Sequence, residues 1–435
     1  MICNHLGDRH LNSEGKFYAA TVLSENYTRM GLKTRKIIVV FKSNRDIGIY
    51  EGKAMRESRV HPAMLAVAII LLTSIAGGAT YIVRQGESLQ GAINQADSGD
   101  TIIVSEGVYR ESLNITRPIV LEGRGRPLLD GSAIGNALTI DADGAKVSGF
   151  EIRTARRTGV HVLSGGNIIE NNSISGCLDG IRLEGAHSNI IANNSINNNT
   201  NGITLYSSKE NRIQNCDIRD NYINEESDCG IFLIYSQGNV IQDNQLRNNG
   251  DTSISLRSAS NNSIMNNTVI ENDWYGISLS ETSNGNRIAY NNASNNIDAG
   301  IYLDCSRNNH LLGNRALDNS KGIYLSYDSN DNILEENYLF QNGKGLYLAN
   351  HASNNTIVGN TAQENGYGVY LTFSSRWDLV YANHLINNGC NAYDRGESNR
   401  WDNGSQGNYY SDLGGKFYIP GGPGIDNHPQ AEPSG

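Results

Sequence analysis

Short apolar segments recur along most of the chain, separated by asparagine and glycine. The clearest unit is a Gly-apolar-x-Leu tetrad, which returns about every 22 to 24 residues between 160 and 371. Its second and fourth residues are apolar, as in a short strand with one buried face. No helical segment separates the copies, so the pattern predicts coils that stack on one another. The tetrads begin at Gly180, Gly202, Gly230, Gly276, Gly300, Gly322, Gly345 and Gly368, with degenerate copies at Gly159, Ser253 and Asn391.

Asparagines form a second pattern in phase with the tetrads. An Asn or Asp anchor is followed five and ten residues later by further asparagines, with one or two apolar residues between them. Asparagine suits such turns because it tolerates left-handed backbone angles. Since stacked coils repeat at about 4.8 Å, an Asn at one position of every coil predicts an internal ladder of side-chain amides. The anchors are Asn167, Asn189, Asn211, Asn239, Asn262, Asn286, Asn309, Asn332, Asn355 and Asp378, and Cys216 alone interrupts the column five residues later.

These repeats resemble those of the NosD-like proteins, a group within the pectin-lyase-like class. The resemblance covers Tyr81 to about Pro429, and the motifs around Trp401, Tyr409 and Ile425 also look like the end of such proteins. It implies an all-β fold, a right-handed single-stranded parallel β-helix (solenoid) with a short N-terminal capping helix. Residues 86–96 fit that helix, and Ser88 is its expected N-cap.

The chain divides into five predicted segments. Residues 145–394 carry the repeats, 81–144 the N-terminal cap and first coils, and 395–435 a C-terminal cap or tail. Residues 55–80 have the basic, apolar and small-residue zones of a signal peptide. A membrane anchor at 63–79 is the alternative, although this run is slightly shorter than the roughly 20 residues of a span. Residues 1–54 are then a mis-called start or an extension.

A signal peptide predicts a secreted, cell-surface or periplasmic protein. The net charge of −10 argues against a nucleic-acid partner. Several Asn-x-Ser/Thr sequons occur, and those at Asn171, Asn193 and Asn266 directly precede a ladder position, so they are predicted to face outward as glycosylation sites. Cys216 and Cys229 flank an irregular coil, where a disulfide and buried free thiols are both compatible with the sequence.

The third residue of each tetrad must point outward, because its neighbours point inward. In five successive coils this residue is tyrosine, which predicts an exposed strip about 20 Å long. Such a strip suits the sugar units of an extended glycan, although tyrosines also pair across strands for stability alone. The tyrosine strip consists of Tyr302, Tyr324, Tyr347, Tyr370 and Tyr393.

Catalytic and metal chemistry find weaker support. Glu281, Asp304 and Asp328 follow the tetrads of three consecutive coils, where carboxylates can approach the separations used by glycosidases. The acidic and basic segments associated with pectin-cleaving relatives are missing, so an enzyme is not expected. The resemblance implies copper delivery, but the histidines show no ligand spacing and the chain has five methionines. No metal site and no cofactor are predicted.

The sequence therefore predicts an exported structural or recognition module that binds polysaccharide or cell-envelope components through the tyrosine strip. A NosD-like periplasmic copper-delivery accessory protein is the alternative, and a polysaccharide-degrading enzyme, a glycoside hydrolase or polysaccharide lyase, is the second alternative.

Overall fold

The computed structural model describes the strands between 10 and 52, and residues 78–435 apart from 132–134, 155–156, 223–227, 413–416 and 433–435. The chain forms two units, 1–76 and 77–435. The predicted signal peptide or anchor lies outside the described residues except for its last three positions. No helix in the described ranges is long and apolar enough to cross a membrane.

The first unit contains a four-stranded antiparallel sheet, with strand order β1-β2-β3-β4 in its described residues. Whether residues 1–54 are a mis-called start or an extension stays a prediction. The strands are β1 (His10–Leu11), β2 (Phe17–Arg29), β3 (Leu32–Lys42) and β4 (Ile47–Gly52).

The second unit is a right-handed parallel β-helix, which confirms the predicted fold class. Each coil passes through three sheets in turn, and every strand pairs in parallel with the equivalent strand of the next coil. In the described residues, sheets 1 and 2 have 14 strands each and sheet 3 has 13. The tetrads form the strands of sheet 3, in which Tyr302 pairs with Tyr324 and Tyr324 with Tyr347.

The strand bounds are as follows. Sheet 1 contains β5 (Thr80–Val83), β6 (Thr101–Val104), β9 (Val120–Gly123), β12 (Lys146–Ser148), β15 (Ile168–Glu170), β18 (Ile190–Ala192), β21 (Arg212–Gln214), β24 (Val240–Gln242), β27 (Ser263–Met265), β30 (Arg287–Ala289), β33 (His310–Leu312), β36 (Ile333–Glu335), β39 (Thr356–Val358) and β42 (Leu379–Tyr381). Sheet 2 contains β7 (Val108–Tyr109), β10 (Leu128–Asp130), β13 (Glu151–Arg153), β16 (Ser173–Ser175), β19 (Ser195–Asn197), β22 (Asp217–Arg219), β25 (Gln245–Arg247), β28 (Thr268–Ile270), β31 (Asn292–Ser294), β34 (Arg315–Leu317), β37 (Tyr338–Phe340), β40 (Thr361–Gln363), β43 (His384–Ile386) and β45 (Tyr409–Tyr410). Sheet 3 contains β8 (Leu113–Ile115), β11 (Leu138–Ile140), β14 (Val160–Val162), β17 (Asp179–Glu184), β20 (Asn201–Tyr206), β23 (Cys229–Ile234), β26 (Thr252–Arg257), β29 (Tyr275–Ser280), β32 (Ala299–Asp304), β35 (Lys321–Ser326), β38 (Lys344–Leu348), β41 (Tyr367–Leu371) and β44 (Cys390–Asp394). A terminal hairpin pairs β46 (Phe417–Tyr418) with β47 (Ile425–Asp426).

A short helix, α1 (Leu89–Gln95), lies at the N-terminal end of the stack, as the resemblance implied. It buries Leu89 and Ile93 against the first coils. Ser88 is the N-cap, and its hydroxyl accepts a hydrogen bond from the backbone N–H of Gly91 at 3.0 Å. The carboxylate of Glu111 accepts from the next free N–H groups of the helix, including that of Leu89 at 2.8 Å. Ser88 and Glu111 thus satisfy backbone N–H groups that have no partner within the helix.

Three internal asparagine ladders run along the stack, as predicted, and Asn314 shows their geometry. Its backbone N–H and its Nδ2 both donate to Oδ1 of Asn337, at 2.9 and 3.0 Å. Its own Oδ1 accepts the same two bonds from Asn291, both at 3.0 Å. Its remaining Nδ2 hydrogen reaches the carbonyl oxygen of Ile288 at 2.8 Å. Every polar atom of the buried amide is therefore paired.

The amide-to-amide bonds have a direction, because each asparagine donates to the asparagine of the next coil and accepts from that of the preceding coil. At the start, the backbone N–H groups of Ala145, Phe150 and Cys177 donate to Oδ1 of the first asparagine of each ladder, at 2.8, 3.0 and 2.9 Å. At the far end, the last asparagine still has donors to satisfy, and a carboxylate accepts from it in each ladder. The terminal pairs are Asn399 with Asp394 at 3.0 Å, Asn408 with Asp426 at 3.3 Å, and Asn391 with Asp412 at 2.6 Å.

Cys216 breaks the second ladder. Its backbone N–H donates to Oδ1 of Asn244 at 3.0 Å, as a ladder residue should. The backbone N–H and the Nδ2 of Asn194, however, face the Sγ atom of Cys216, a weak acceptor, where an asparagine Oδ1 stands in other coils. The Nδ2 keeps its second bond, to the carbonyl oxygen of Ile169 at 2.9 Å. None of the five cysteines in the described residues forms a disulfide, so of the two alternatives the structure contains the buried thiol.

Asp378 occupies a first-ladder position in which the other anchors are asparagines. Its Oδ1 accepts from the backbone N–H and the Nδ2 of Asn355 at 2.8 and 3.1 Å, but its buried Oδ2 has no partner. Burial raises the pKa of this carboxyl to about 8, against a small opposing effect of the Asn355 bonds. The carboxyl is therefore held largely neutral at neutral pH.

Replacing Cys216 with Asn should stabilise the protein. The new Oδ1 would accept from both amide groups of Asn194, and the new Nδ2 would donate to Asn244, a gain of about 1 kcal/mol per restored bond. Thermal unfolding measures the gain, and Cys390→Asn, at a half-buried thiol outside the ladders, is the matched control. An unchanged or lowered Tm for Cys216→Asn alone would contradict the ladder gap.

Replacing Asp378 with Asn should stabilise the protein in a pH-dependent way. Because the folded-state pKa of Asp378 is raised, the wild type binds the proton more tightly when folded. The contribution of Asp378 to the free energy of unfolding is therefore largest below about pH 4 and decreases as the pH rises toward 8. Asparagine has no carboxyl group to ionise, and its Nδ2 can donate a hydrogen bond at the position where Oδ2 of Asp378 has no partner. The free energy of unfolding of the variant should therefore exceed that of the wild type by an amount that grows to about 1–3 kcal/mol at pH 8. Denaturant unfolding at pH 4, 6 and 8 measures it, and a constant difference would refute the raised pKa.

Candidate functional site

The tyrosine strip lies on the solvent-facing side of sheet 3, on strands β32, β35, β38, β41 and β44. Successive rings pack at centroid distances of 4.8 to 5.4 Å, with interplanar angles of 9° to 49°. Tyr275 extends the stack by one ring. It leans across Ser278 and packs on Tyr302 at 4.5 Å and 16°. The result is a continuous column of six aromatic rings.

Glycines let successive coils of sheet 3 pack closely on one another beneath this column. A Cβ atom at Gly322 would lie 2.7 Å from the carbonyl oxygen of Gly345 and 2.8 Å from the Leu339 side chain. Equivalent contacts recur at the other tetrad glycines of these coils, so no larger residue fits there. The glycine column separates the strip from a second outward column, which contains Tyr275, Ala299, Lys321, Lys344, Tyr367 and Cys390.

The rings are less exposed than the sequence suggested. Tyr302 retains 9% of its accessible surface, and the other four tyrosines of the strip are half-buried. Because neighbouring rings cover each other's faces, the strip presents mainly ring edges and hydroxyl groups to solvent. Burial raises the pKa of Tyr275 to about 12, and it also raises the pKa of Tyr324 and Tyr347. These hydroxyls stay protonated and can donate hydrogen bonds.

Two lysines line the strip, and the sequence reasoning missed both. The ammonium group of Lys321 lies 5.2 Å from the ring centre of Tyr324, and it forms an ion pair with Asp298. The ammonium group of Lys344 lies 4.8 Å from the ring centre of Tyr347 and 5.7 Å from that of Tyr370. Each lysine directly precedes a tetrad glycine. A search for repeated aromatic residues at the third tetrad position does not include that column.

The three predicted acidic residues occupy different positions at the ends of their strands. Asp304 is the last residue of β32, Glu281 follows β29 by one residue, and Asp328 follows β35 by two. Glu281 forms an ion pair with Arg257 at 3.5 Å. Burial raises the pKa of Asp304, and the charge of Glu281 raises it further. Their catalytic role stays a prediction.

The N-terminal half of the same outward column has a different chemistry, which the sequence reasoning did not assign. Arg182 bonds to Asp179 at 3.4 Å and to Glu184 at 3.2 Å, and His161 Nε2 lies 3.2 Å from Glu184. The hydroxyl of Thr204 donates to Asp179 at 2.7 Å. The hydrogen bond from Arg182 is the main cause that lowers the pKa of Glu184. These groups satisfy one another, so the cluster supports the sheet.

The predicted glycosylation sites have the geometry expected of exposed turns. Asn171, Asn193 and Asn266 are exposed, with left-handed φ angles of 57°, 54° and 54°. Each lies immediately before a buried ladder asparagine. Their modification stays a prediction.

Two histidines in the described residues have other partners than a metal ion would require. His310 Nε2 lies 2.7 Å from Glu335, and the ring of His384 packs edge-on against Tyr409 at 6.3 Å. Across the described part of the chain, no three His, Cys, Asp or Glu side chains are grouped so that they could hold a metal ion.

Two family models match the chain. The right-handed β-helix region matches residues 136–293 and 217–316, and the periplasmic copper-binding protein (NosD) model matches residues 290–415. No curated protein matches it.

Several solved structures are similar at low sequence identity. The mannuronan C-5 epimerase AlgE6 A-module of Azotobacter vinelandii is 14% identical, with a TM-score of 0.51 over 72% of this chain and 92% of that one. A mutant of the periplasmic alginate epimerase AlgG is 17% identical, with a TM-score of 0.49 over 73% and 82%. An alginate lyase from Paenibacillus sp. str. FPU-7 is 17% identical, with a TM-score of 0.47 over 63% and 99%. At these identities the likeness concerns the fold alone.

Proposed function

Because the chain is a NosD-like, right-handed parallel β-helix repeat protein, we propose that it is an exported recognition module that binds an extended polysaccharide along the tyrosine strip. One observation carries this proposal. Six aromatic rings, from Tyr275 to Tyr393, form an unbroken column on one solvent-facing sheet.

The length of the column favours a polymer over a small ligand. Six rings that repeat at the coil spacing of about 4.8 Å extend roughly 24 Å. A small molecule would contact one or two rings, whereas an extended glycan can use all of them through several weak contacts. Parallel pairing also keeps the five tyrosines of the strip in register, so their spacing follows the coil repeat.

The polar edge of the column supplies the hydrogen-bonding groups that a sugar requires. The hydroxyl of Tyr324 donates to the Ser326 hydroxyl at 3.2 Å. The hydroxyl of Tyr347 has no protein hydrogen-bond partner among the described residues, so it is free to bond a ligand. The apolar ring edges and the hydroxyl groups beside them form an amphipathic surface, and this surface matches the amphipathic surface of a sugar.

A column that only stabilises the sheet would look similar, because aromatic side chains often pair across strands. The two roles differ in what they require of the hydroxyl. Stacking needs the ring alone, whereas binding by an edge needs the hydroxyl as well. A change from tyrosine to phenylalanine therefore separates them.

The double variant Tyr324→Phe and Tyr347→Phe should weaken polysaccharide binding while keeping the fold. We expect retention on the bound polysaccharide to fall by about tenfold, corresponding to roughly 0.7 kcal/mol for each lost hydrogen bond. Affinity electrophoresis through gels that contain one polysaccharide each measures retention, and thermal unfolding should show an unchanged Tm.

The matched control is Tyr338→Phe with Tyr381→Phe, which removes two hydroxyls from the outward faces of sheets 2 and 1. Equal losses in both double variants, or a wild-type protein that no polysaccharide retards, would leave the column with a stabilising role only. Release of new chain ends during the assay would instead favour the polysaccharide-degrading alternative and direct attention to Glu281, Asp304 and Asp328.

Copper delivery is the second candidate, and the NosD match over residues 290–415 is the observation that favours it. A soft copper site needs clustered Met, Cys or His ligands. In the described part of this segment, His310 is engaged by Glu335 and no suitable group of ligands exists. The residues do not fit the metal, so no copper chemistry is assigned to this chain.

A further inference from the structure

We propose that the tyrosine strip selects acidic polysaccharides and that Lys344 is the residue that binds their carboxylate groups. This inference rests on the proposed function, and it adds the chemical class of the ligand. It follows from the charges that line the strip.

Lys321 and Lys344 are register neighbours on β35 and β38, so their ammonium groups lie one coil apart beside the same rings. Asp298 pairs with Lys321. Among the described residues, no carboxylate lies within ion-pair distance of the ammonium group of Lys344, which instead lies over the rings of Tyr347 and Tyr370. Two cations and one carboxylate leave a net positive charge in the middle of the strip.

The positive charge of Lys344 lies in a partly buried site that disfavours it. Partial burial lowers the pKa of Lys344, the charge of Lys321 lowers it further, and the charge of Asp298 opposes both. A ligand carboxylate placed beside Lys344 would supply the missing counter-charge. Because the chain as a whole carries a net charge of −10, attraction of an acidic polymer has to be local, and the strip offers this positive site.

The N-terminal part of the strip, around Tyr302, carries a negative charge. Asp304 lies close enough to Tyr302 for its charge to raise the pKa of that tyrosine, although burial is the larger cause. An acidic sugar is therefore disfavoured beside Tyr302 and favoured beside Tyr347. A polyuronate carries a carboxylate on every sugar, so we expect its strongest contacts at the C-terminal half of the strip.

Lys344 could instead serve the sheet alone, as a cation packed on aromatic rings. A purely structural lysine would affect the binding of acidic and neutral polymers equally. A lysine that binds carboxylates affects only the acidic polymer, and its contribution weakens with salt. The comparison of matched polymers therefore decides between the two roles.

The experiment measures retention of the full chain by polygalacturonate and polymannuronate, each against its carboxyl-reduced form, which keeps the backbone and loses the charge. Wild-type protein should bind at least one polyuronate more tightly than its reduced form, and added salt should remove the difference. Lys344→Gln should weaken binding of that polyuronate by roughly threefold to tenfold and leave the reduced form unaffected. Lys344→Arg should retain the preference.

Lys209→Gln is the matched control, because it removes one exposed positive charge from a turn that lies away from the strip. Equal affinity of the wild type for both forms of each polymer would overturn the inference and leave the proposed function standing. Equal effects of Lys344→Gln and Lys209→Gln would also overturn it. Absence of binding to any of the four polymers would overturn the preference for polyuronates, and the neutral polysaccharides of the gel assay would then test the proposed function separately.

Discussion

The directional hydrogen bonding of the internal asparagines is the constraint on which the rest of the structure depends. A backbone amide buried between stacked turns must find an acceptor, and the side-chain oxygen of the asparagine in the next coil supplies it. The same oxygen accepts a side-chain N–H, so each coil satisfies the one before it. Such a chain of bonds needs a beginning that only donates and an end that only accepts. Backbone N–H groups of Ala145, Phe150 and Cys177 provide the first, and the carboxylates of Asp394, Asp412 and Asp426 provide the second.

Because the internal hydrogen bonds and the core packing involve only inward residues, the outward positions are free to vary. The core uses Ile, Leu, Val and Ala at inward positions, the ladders use Asn, and the tetrad glycines are held by close contact with the next coil. None of these requirements restricts the residue type at the third position of the tetrad. One column can therefore change from the ion-paired cluster around Arg182 to the aromatic column that begins at Tyr275 without any change in coil geometry. Apart from Cys216 and Asp378 in the ladders, the differences in chemistry described along the stack lie on its outward surface.

Period and alternation made the coils, the ladders and the tyrosine strip predictable, because a parallel stack places residues of equal phase side by side. Features that depend on side-chain conformation were not predictable in the same way. Tyr275 joins the column only because its ring leans over the small Ser278, and Lys344 reaches two rings from the neighbouring column. The burial of Tyr302 arises from stacking, which a count of outward positions does not show. The terminal aspartates look like ordinary surface residues until the ladder direction is known.

The stacked rings also determine which part of each tyrosine is available for a ligand. Ring faces that pack on one another at about the coil spacing cannot also lie flat against sugars. What remains is a polar edge with regular spacing, interrupted by the charges of Lys344 and Asp304 at different heights. Regular spacing suits a polymer of identical units, whereas charges of opposite sign beside different rings suit one alignment of that polymer better than others. Affinity and alignment would therefore come from different residues, the first from tyrosine hydroxyls shared by many coils and the second from single side chains.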